Sequence, residues 1–256
     1  MTASISLAKR PLPHVQIRRV PLAQSLLWLR RGWDDLRHIG WPSIAHGALI
    51  FTMGAVLLSV GSAHLYLVVA AVTGYLLVGP IMTTGLCELS RRRSAGEPAG
   101  FDESLQAVTR TPSSLAQFGA VLGAIALVWL IASQAAVSSI VRAPAPGWDI
   151  VLWGSFMGAV DRSQAAAYIG SGAILAALVF TLSVVSVPII IDRGASAVEA
   201  MGASARATWR NLPAMLVWSG LIVALTALGF VTIFGMVLVA PILGHATWHA
   251  YRDMVR

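Results

Sequence analysis

The run His245-Ala246-Thr247-Trp248-His249 sets two imidazoles four residues apart, on one face of a helix, a spacing at which a pair can bind a metal. A zinc-protease pattern needs Glu directly after the first His, and Ala246 stands there instead. His46, from the first apolar stretch, is the remaining metal candidate beside His245 and His249, and His46 with His245 is the pair a haem would need inside a bundle. The Glu or Cys that would complete a persuasive metal site is missing, so no metal and no cofactor is expected. His245, Trp248, His249 and Tyr251 are expected to form an interfacial belt, with both His holding the last helix against the first hairpin through carbonyls freed by Pro241 or Pro80.

Glu88 and Asp192 are the acids closest to long apolar runs, each followed by arginine (Arg91, Arg193), and both read as solvated helix-end residues. No ionisable residue falls at the centre of an apolar run, which leaves a proton-coupled transporter without a relay. Pro80, Pro188 and Pro241 stand in Val78-Gly79-Pro80-Ile81, Ser186-Val187-Pro188-Ile189 and Val239-Ala240-Pro241-Ile242. A proline inside a helix removes a hydrogen bond and frees a carbonyl, here those of Leu76, Val184 and Val237, giving either shaped helices or a vestibule. Phosphate loops, nucleophile elbows and cysteine clusters are all absent from the chain, and Cys87 is its single thiol. The Arg91-Arg92-Arg93 run fits anionic lipid and membrane orientation; nucleic acid is not an expected partner.

These residues sit in a chain that is 57% hydrophobic and 11% charged, with a mean hydropathy of +0.75 and a net charge of +7. Soluble domains carry about a quarter of their residues charged. Asp, Glu, Lys and Arg are missing from 39–87, 111–141, 163–191 and 211–251. A span takes about 20 apolar residues, so the two shorter stretches hold one span each and the two longer ones a pair each. The expected spans are 43–61, 65–89, 115–141, 165–191, 213–228 and 231–248, with a re-entrant pair as the alternative for the last two. Unbroken apolar runs without period-2 alternation exclude barrel strands.

The fold class is therefore all-α: a polytopic membrane helical bundle, with six transmembrane helices as three hairpins. Each hairpin follows a cytoplasmic interfacial helix and is opened by Pro42, Pro112 or Pro213. In the first interfacial helix, Leu26, Leu29, Trp33 and Leu36 make an apolar stripe opposite Arg30, Arg31 and Asp34. The expected organisation is a cytoplasmic segment over 1–42, a membrane domain over 43–248 and a cytoplasmic tail over 249–256. Of the eighteen Lys and Arg, only Arg142 and Arg162 fall on the other side, which puts both termini in the cytoplasm. The first 21 residues lack the apolar core of a signal peptide, so the first span acts as an uncleaved anchor.

Three blocks carry a resemblance. They are Val78-Gly79-Pro80 with Gly85-Leu86-Cys87-Glu88-Leu89-Ser90-Arg91-Arg92 and Gly96-Glu97-Pro98; Val185-Ser186-Val187-Pro188 with Asp192-Arg193, Ala200-Met201, Ser204, Asn211 and Trp218; and Pro241 through Arg252. Together they resemble an uncharacterised family of predicted bacterial integral membrane proteins, the domain of unknown function numbered 2189, from about Leu22 onward. Cys87 replaces an expected aromatic residue and Ile189 an expected Met. The resemblance implies a bacterial inner-membrane protein and carries over no catalytic residue. Some family members bear the label of subunit I of cytochrome c oxidase, but that subunit needs about twice as many spans and a full set of His ligands. The expected function is non-enzymatic: an accessory or assembly factor whose partners are the lipid bilayer and a membrane protein. A small transporter or channel along the kinked helices is the alternative, and a respiratory haem-associated subunit the third reading.

Overall fold

The computed structural model describes residues 15–61, 79–140, 162–232 and 234–256. Its helices, numbered among the described residues, are α1 (Gln24–Ile39), α2 (Trp41–Gly61), α3 (Thr84–Ala95), α4 (Phe101–Arg110), α5 (Pro112–Ile140), α6 (Arg162–Ser183), α7 (Ser186–Arg193), α8 (Ala197–Arg210), α9 (Leu212–Val231) and α10 (Met236–Met254). The one β feature among them is an antiparallel bridge, Ile17 to Val255.

Three helical segments are long and apolar enough to cross a membrane: Pro112–Ser133, Arg162–Arg193 and Leu212–Val231. A fourth arises if α1 and the start of α2, which meet at a 109° bend, are counted as one broken span. α1 carries Arg30, Arg31, Asp34, Asp35 and Arg37, charges that are costly in hydrocarbon. The expected second span lies largely in 62–78, outside the described residues. The expected sixth span corresponds to α10, whose C-terminal half carries His245, Thr247, His249, Arg252 and Asp253, and which is not among the segments apolar enough to cross.

The three stretches expected as interfacial helices are helical, as α1, α4 and α8, and Pro42, Pro112 and Pro213 each stand in the first turns of the helix that follows. Start and stop signals are local. Ser196 and Glu199 form a capping box at the start of α8. Gly96 and Gly194 close α3 and α7 with left-handed backbone, which a Cβ would strain.

Proline acts differently at its three sites. Pro241 lies inside a continuous α10. At Pro188 the rod breaks between α6 and α7, and hydroxyls take up the loose backbone groups: Ser186 Oγ donates to the Leu182 carbonyl at 2.6 Å and Ser204 Oγ to that of Thr181 at 2.9 Å. Just after Pro80, Thr83 Oγ1 donates to the Pro80 carbonyl at 2.8 Å. Val187, Pro188, Ile189, Val239, Ala240 and Pro241 are buried, so at the second and third sites the bends are filled with protein.

The core gathers around α10, which packs most extensively on α1, then on α2 and α3. Two glycines permit that approach. A Cβ on Gly32 would come within 2.5 Å of the Ile242 carbonyl oxygen, and one on Gly47 would collide with the Val237 carbonyl and Pro241. Trp28 and Trp218, both fully buried, meet edge to face at 5.7 Å and join α1 to α9.

Candidate functional site: a buried polar network around α10

Residues 245 and 249 lie one turn apart on α10 and face the groove between α1, α2 and α3. His245 is fully buried and uses both ring nitrogens: Nε2 lies 2.9 Å from Ser43 Oγ on α2, and Nδ1 lies 2.8 Å from Ser90 Oγ on α3. Ser90 donates its single proton to Asp35 Oδ2 on α1 at 2.5 Å. Its oxygen must therefore accept from His245 Nδ1–H, which leaves Nε2 to accept from Ser43. Asp35 closes the network by accepting from His249 Nε2 at 3.0 Å and from Arg93.

The hydrogen bonding inventory explains the charge state of Asp35. Burial opposes its ionisation, but hydrogen bonds from His249 and Ser90 and the charge of the neighbouring imidazoles hold its carboxyl below the usual value. A second cluster adjoins it on α3. Glu88 is fully buried, not solvated, and receives Arg91 through two nitrogens (2.8 and 3.0 Å), Arg92 at 2.8 Å and Arg110 of α4 at 2.6 Å. Glu88 in turn drives the Arg91 pKa up.

The other predicted residues complete the rim. Trp248 is buried, its Nε1 3.3 Å from Ser94 Oγ, and Tyr251 is buried beside it, so the pair is packed inside the protein and forms no interfacial belt. Tyr251 donates to exposed Asp192 at 2.5 Å and accepts from Arg193 Nε at 2.9 Å; burial first, and the Asp192 carboxylate second, push its pKa up. Asp253 gathers Gln24, Trp28 and Arg31 of α1 at 2.6, 2.9 and 3.1 Å. His46 is a separate site, with Nδ1 donating to the Pro42 carbonyl at 2.8 Å and Nε2 3.2 Å from Ser104. Cys87 is buried, its Sγ 3.5 Å from the Gly244 carbonyl.

Sequence reasoning missed Asp35, Ser43 and Ser90, the three groups on which His245 and His249 depend. The partners of the His pair are hydroxyls and a carboxylate, in place of the proline-freed carbonyls expected. The serine, histidine and acid types suggest a hydrolase triad, but the order is wrong for one. In a triad the acid orients the imidazole and the imidazole takes the serine proton. Here Ser90 gives its proton to Asp35, and the imidazole donates to Ser90. Among the described residues, no three His, Cys, Asp or Glu side chains converge as metal ligands. The arrangement cross-links α1, α2, α3 and α10, with both ring nitrogens of His245 and both carboxylate oxygens of Asp35 engaged.

Residues 67–192, just under half of the chain, match the model of the family described as predicted integral membrane protein (DUF2189). That segment contains Pro80, Glu88, Ser90, Arg93, Pro188 and Asp192, whereas Asp35, Ser43 and the third resembling block, with His245 and His249, lie beyond it. No curated protein and no solved structure matches the chain. Over 67–192 the chain is thus similar to a family of predicted integral membrane proteins, and three of its described helical segments are long and apolar enough to cross a membrane.

Proposed function

We propose that this protein is a non-enzymatic accessory or assembly factor of the bacterial cytoplasmic membrane, acting through the lipid and protein contacts of a fixed helical platform. One observation carries the reading: of the groups able to do chemistry, His245, His249, Asp35 and Ser90 are spent on one another and Glu88 on three arginines. What remains available is apolar helix surface bearing arginine, on α1 (Leu26, Trp33, Arg30, Arg37) and α8 (Val198, Trp209, Arg206, Arg210). Such surface suits headgroups and neighbouring membrane helices.

The Lys and Arg asymmetry supports cytoplasmic termini and six spans in three hairpins. Gln16 and Arg256 exchange two backbone hydrogen bonds, so the start of the described chain and its end share one side. Reporter fusions after residues 95, 205 and 256 are expected to read inside, and those after 62 and 150 outside; an inside signal at 150 overturns six spans. For the function, the protein extracted from its own membrane is expected to carry a stoichiometric membrane-protein partner, and proteoliposomes of the purified protein are expected to pass protons and small ions no faster than empty ones. Flux above empty vesicles overturns the accessory reading in favour of transport.

A further inference from the structure

At the junction of α8 and α9, an open groove of about 490 Å³ is lined by Val15, Ile17, Ala205, Arg206, Trp209 and Arg210. Arg206 and Arg210 are exposed, four residues apart and so on one helical face. Nearby acids are already engaged: Glu199 in the capping box, Asp192 with Tyr251, and Asp253 with α1. Neither guanidinium has a hydrogen-bond or ion-pair partner among the described residues. Trp209 beside them is 69% exposed, and the apolar span of α9 begins at Leu212, two residues after Arg210. At about 1.5 Å per residue, the arginines therefore lie within two helical turns of the hydrocarbon edge, at headgroup depth. The junction is braced, because Asn211 accepts from Val20 N at 2.8 Å and donates to the Arg18 carbonyl at 2.9 Å.

We propose that this groove binds the phosphodiester headgroup of one anionic phospholipid, with Arg206 and Arg210 on the phosphate oxygens, Trp209 at the glycerol level and Val15 and Ile17 against the upper acyl chain. A guanidinium fork matches phosphate oxygens, and an indole suits the boundary between headgroup and acyl chain. Charge selects this occupant over the chain's own residues 1–14, which hold Lys9 and Arg10 and no acid, and over a second copy, whose matching surface is equally basic. The site rests on the membrane-platform reading for its depth alone, and lipid binding is measured independently of partner capture and ion flux.

The test is native mass spectrometry of the full-length protein titrated with phosphatidylglycerol, phosphatidylcholine and inorganic phosphate. One phosphatidylglycerol is expected to bind before any phosphatidylcholine. R206Q and R210Q are each expected to weaken that first event about fivefold and the double variant about twentyfold or more, from the contribution of a basic residue at a charged bilayer surface. R206K/R210K should recover most of the affinity, and R162Q, at the start of α6, should leave it unchanged. A double variant that binds as wild type, an equal loss in R162Q, equal binding of phosphatidylcholine, or displacement by inorganic phosphate would each overturn the site. So would a dimer that R206Q/R210Q dissociates, since the groove would then hold a second copy.

Discussion

The α5–α6 pair and the α10 neighbourhood contain similar apolar residues but face different solvents. On α5 and α6 the aliphatic side chains Val128, Ile131, Ile169 and Ile174 point outward, and the two helices meet where Trp129 stacks on Tyr168 at 4.9 Å and Tyr168 bonds Ser133 at 2.7 Å. Around α10, small and polar residues point inward, with Gly32, Gly47, Ser43, Ser90, Asp35 and His245 at the contacts. Lipid removes the hydrophobic reason to bury aliphatic residues against protein, so helix association falls to close backbone approach and to polar pairs. The interior around α10 accordingly carries polar pairs beside its apolar side chains.

The sharpest way to break that contrast is to unpair a buried charge. Glu88→Ala leaves Arg91, Arg92 and Arg110 without their common carboxylate and is expected to destabilise by about 3 to 5 kcal/mol. Chemical unfolding in detergent reads this; a loss under 1 kcal/mol would mean that the cluster is solvated. Next is His245→Leu, which strands Ser43 and removes the donor to Ser90, at a cost of about 1 to 3 kcal/mol. His245→Gln, which keeps hydrogen bonding, should recover most of the loss, and equal losses in both variants would show that packing alone matters.

Acid should act on the same region with a defined sign. The folded carboxyl of Asp35 lies below its ordinary value of 3.8. Its contribution is complete above that value and is lost as pH falls through the folded one. The thermal transition is expected to drop steadily below about pH 4, with Asp35→Asn shrinking the drop. A transition independent of pH down to 3 would contradict the buried pairing of Asp35. The smallest effect is expected on the lipid-facing surface, where Val128→Ala or Ile174→Ala should change stability by about 0.5 kcal/mol or less. A loss of 2 kcal/mol there would reveal a protein neighbour covering α5 or α6.

Periodicity made half of α1 legible. Leu26 and Trp33 of the expected stripe are exposed, as a membrane-facing edge should be, while the protein-facing side runs Ser25, Trp28, Gly32, Asp35 and Leu36. No hydrophobic pattern marks that side, because close packing selects Gly and Ser there and polar pairing selects Asp. The same blindness hid Ser43 and Ser90, two serines among many. It also turned Glu88 into a solvated residue, since the i+3 and i+4 arginines are visible in sequence but Arg110, which closes the cluster from α4, is not.

By itself, the sequence determined that the chain is helical, that it holds segments apolar enough to cross a membrane, and where α1, α4, α8 and the prolines after them fall. Those properties follow from transfer free energy and backbone satisfaction, which act residue by residue along the chain. Only the tertiary structure decided that His245 meets Ser43 and Ser90, that Asp35 joins both His to Arg93, and that Trp248 and Tyr251 are interior. Each of those contacts joins residues more than 50 positions apart, and hydrogen bonds of a few ångströms depend on how the helices dock rather than on what each helix contains.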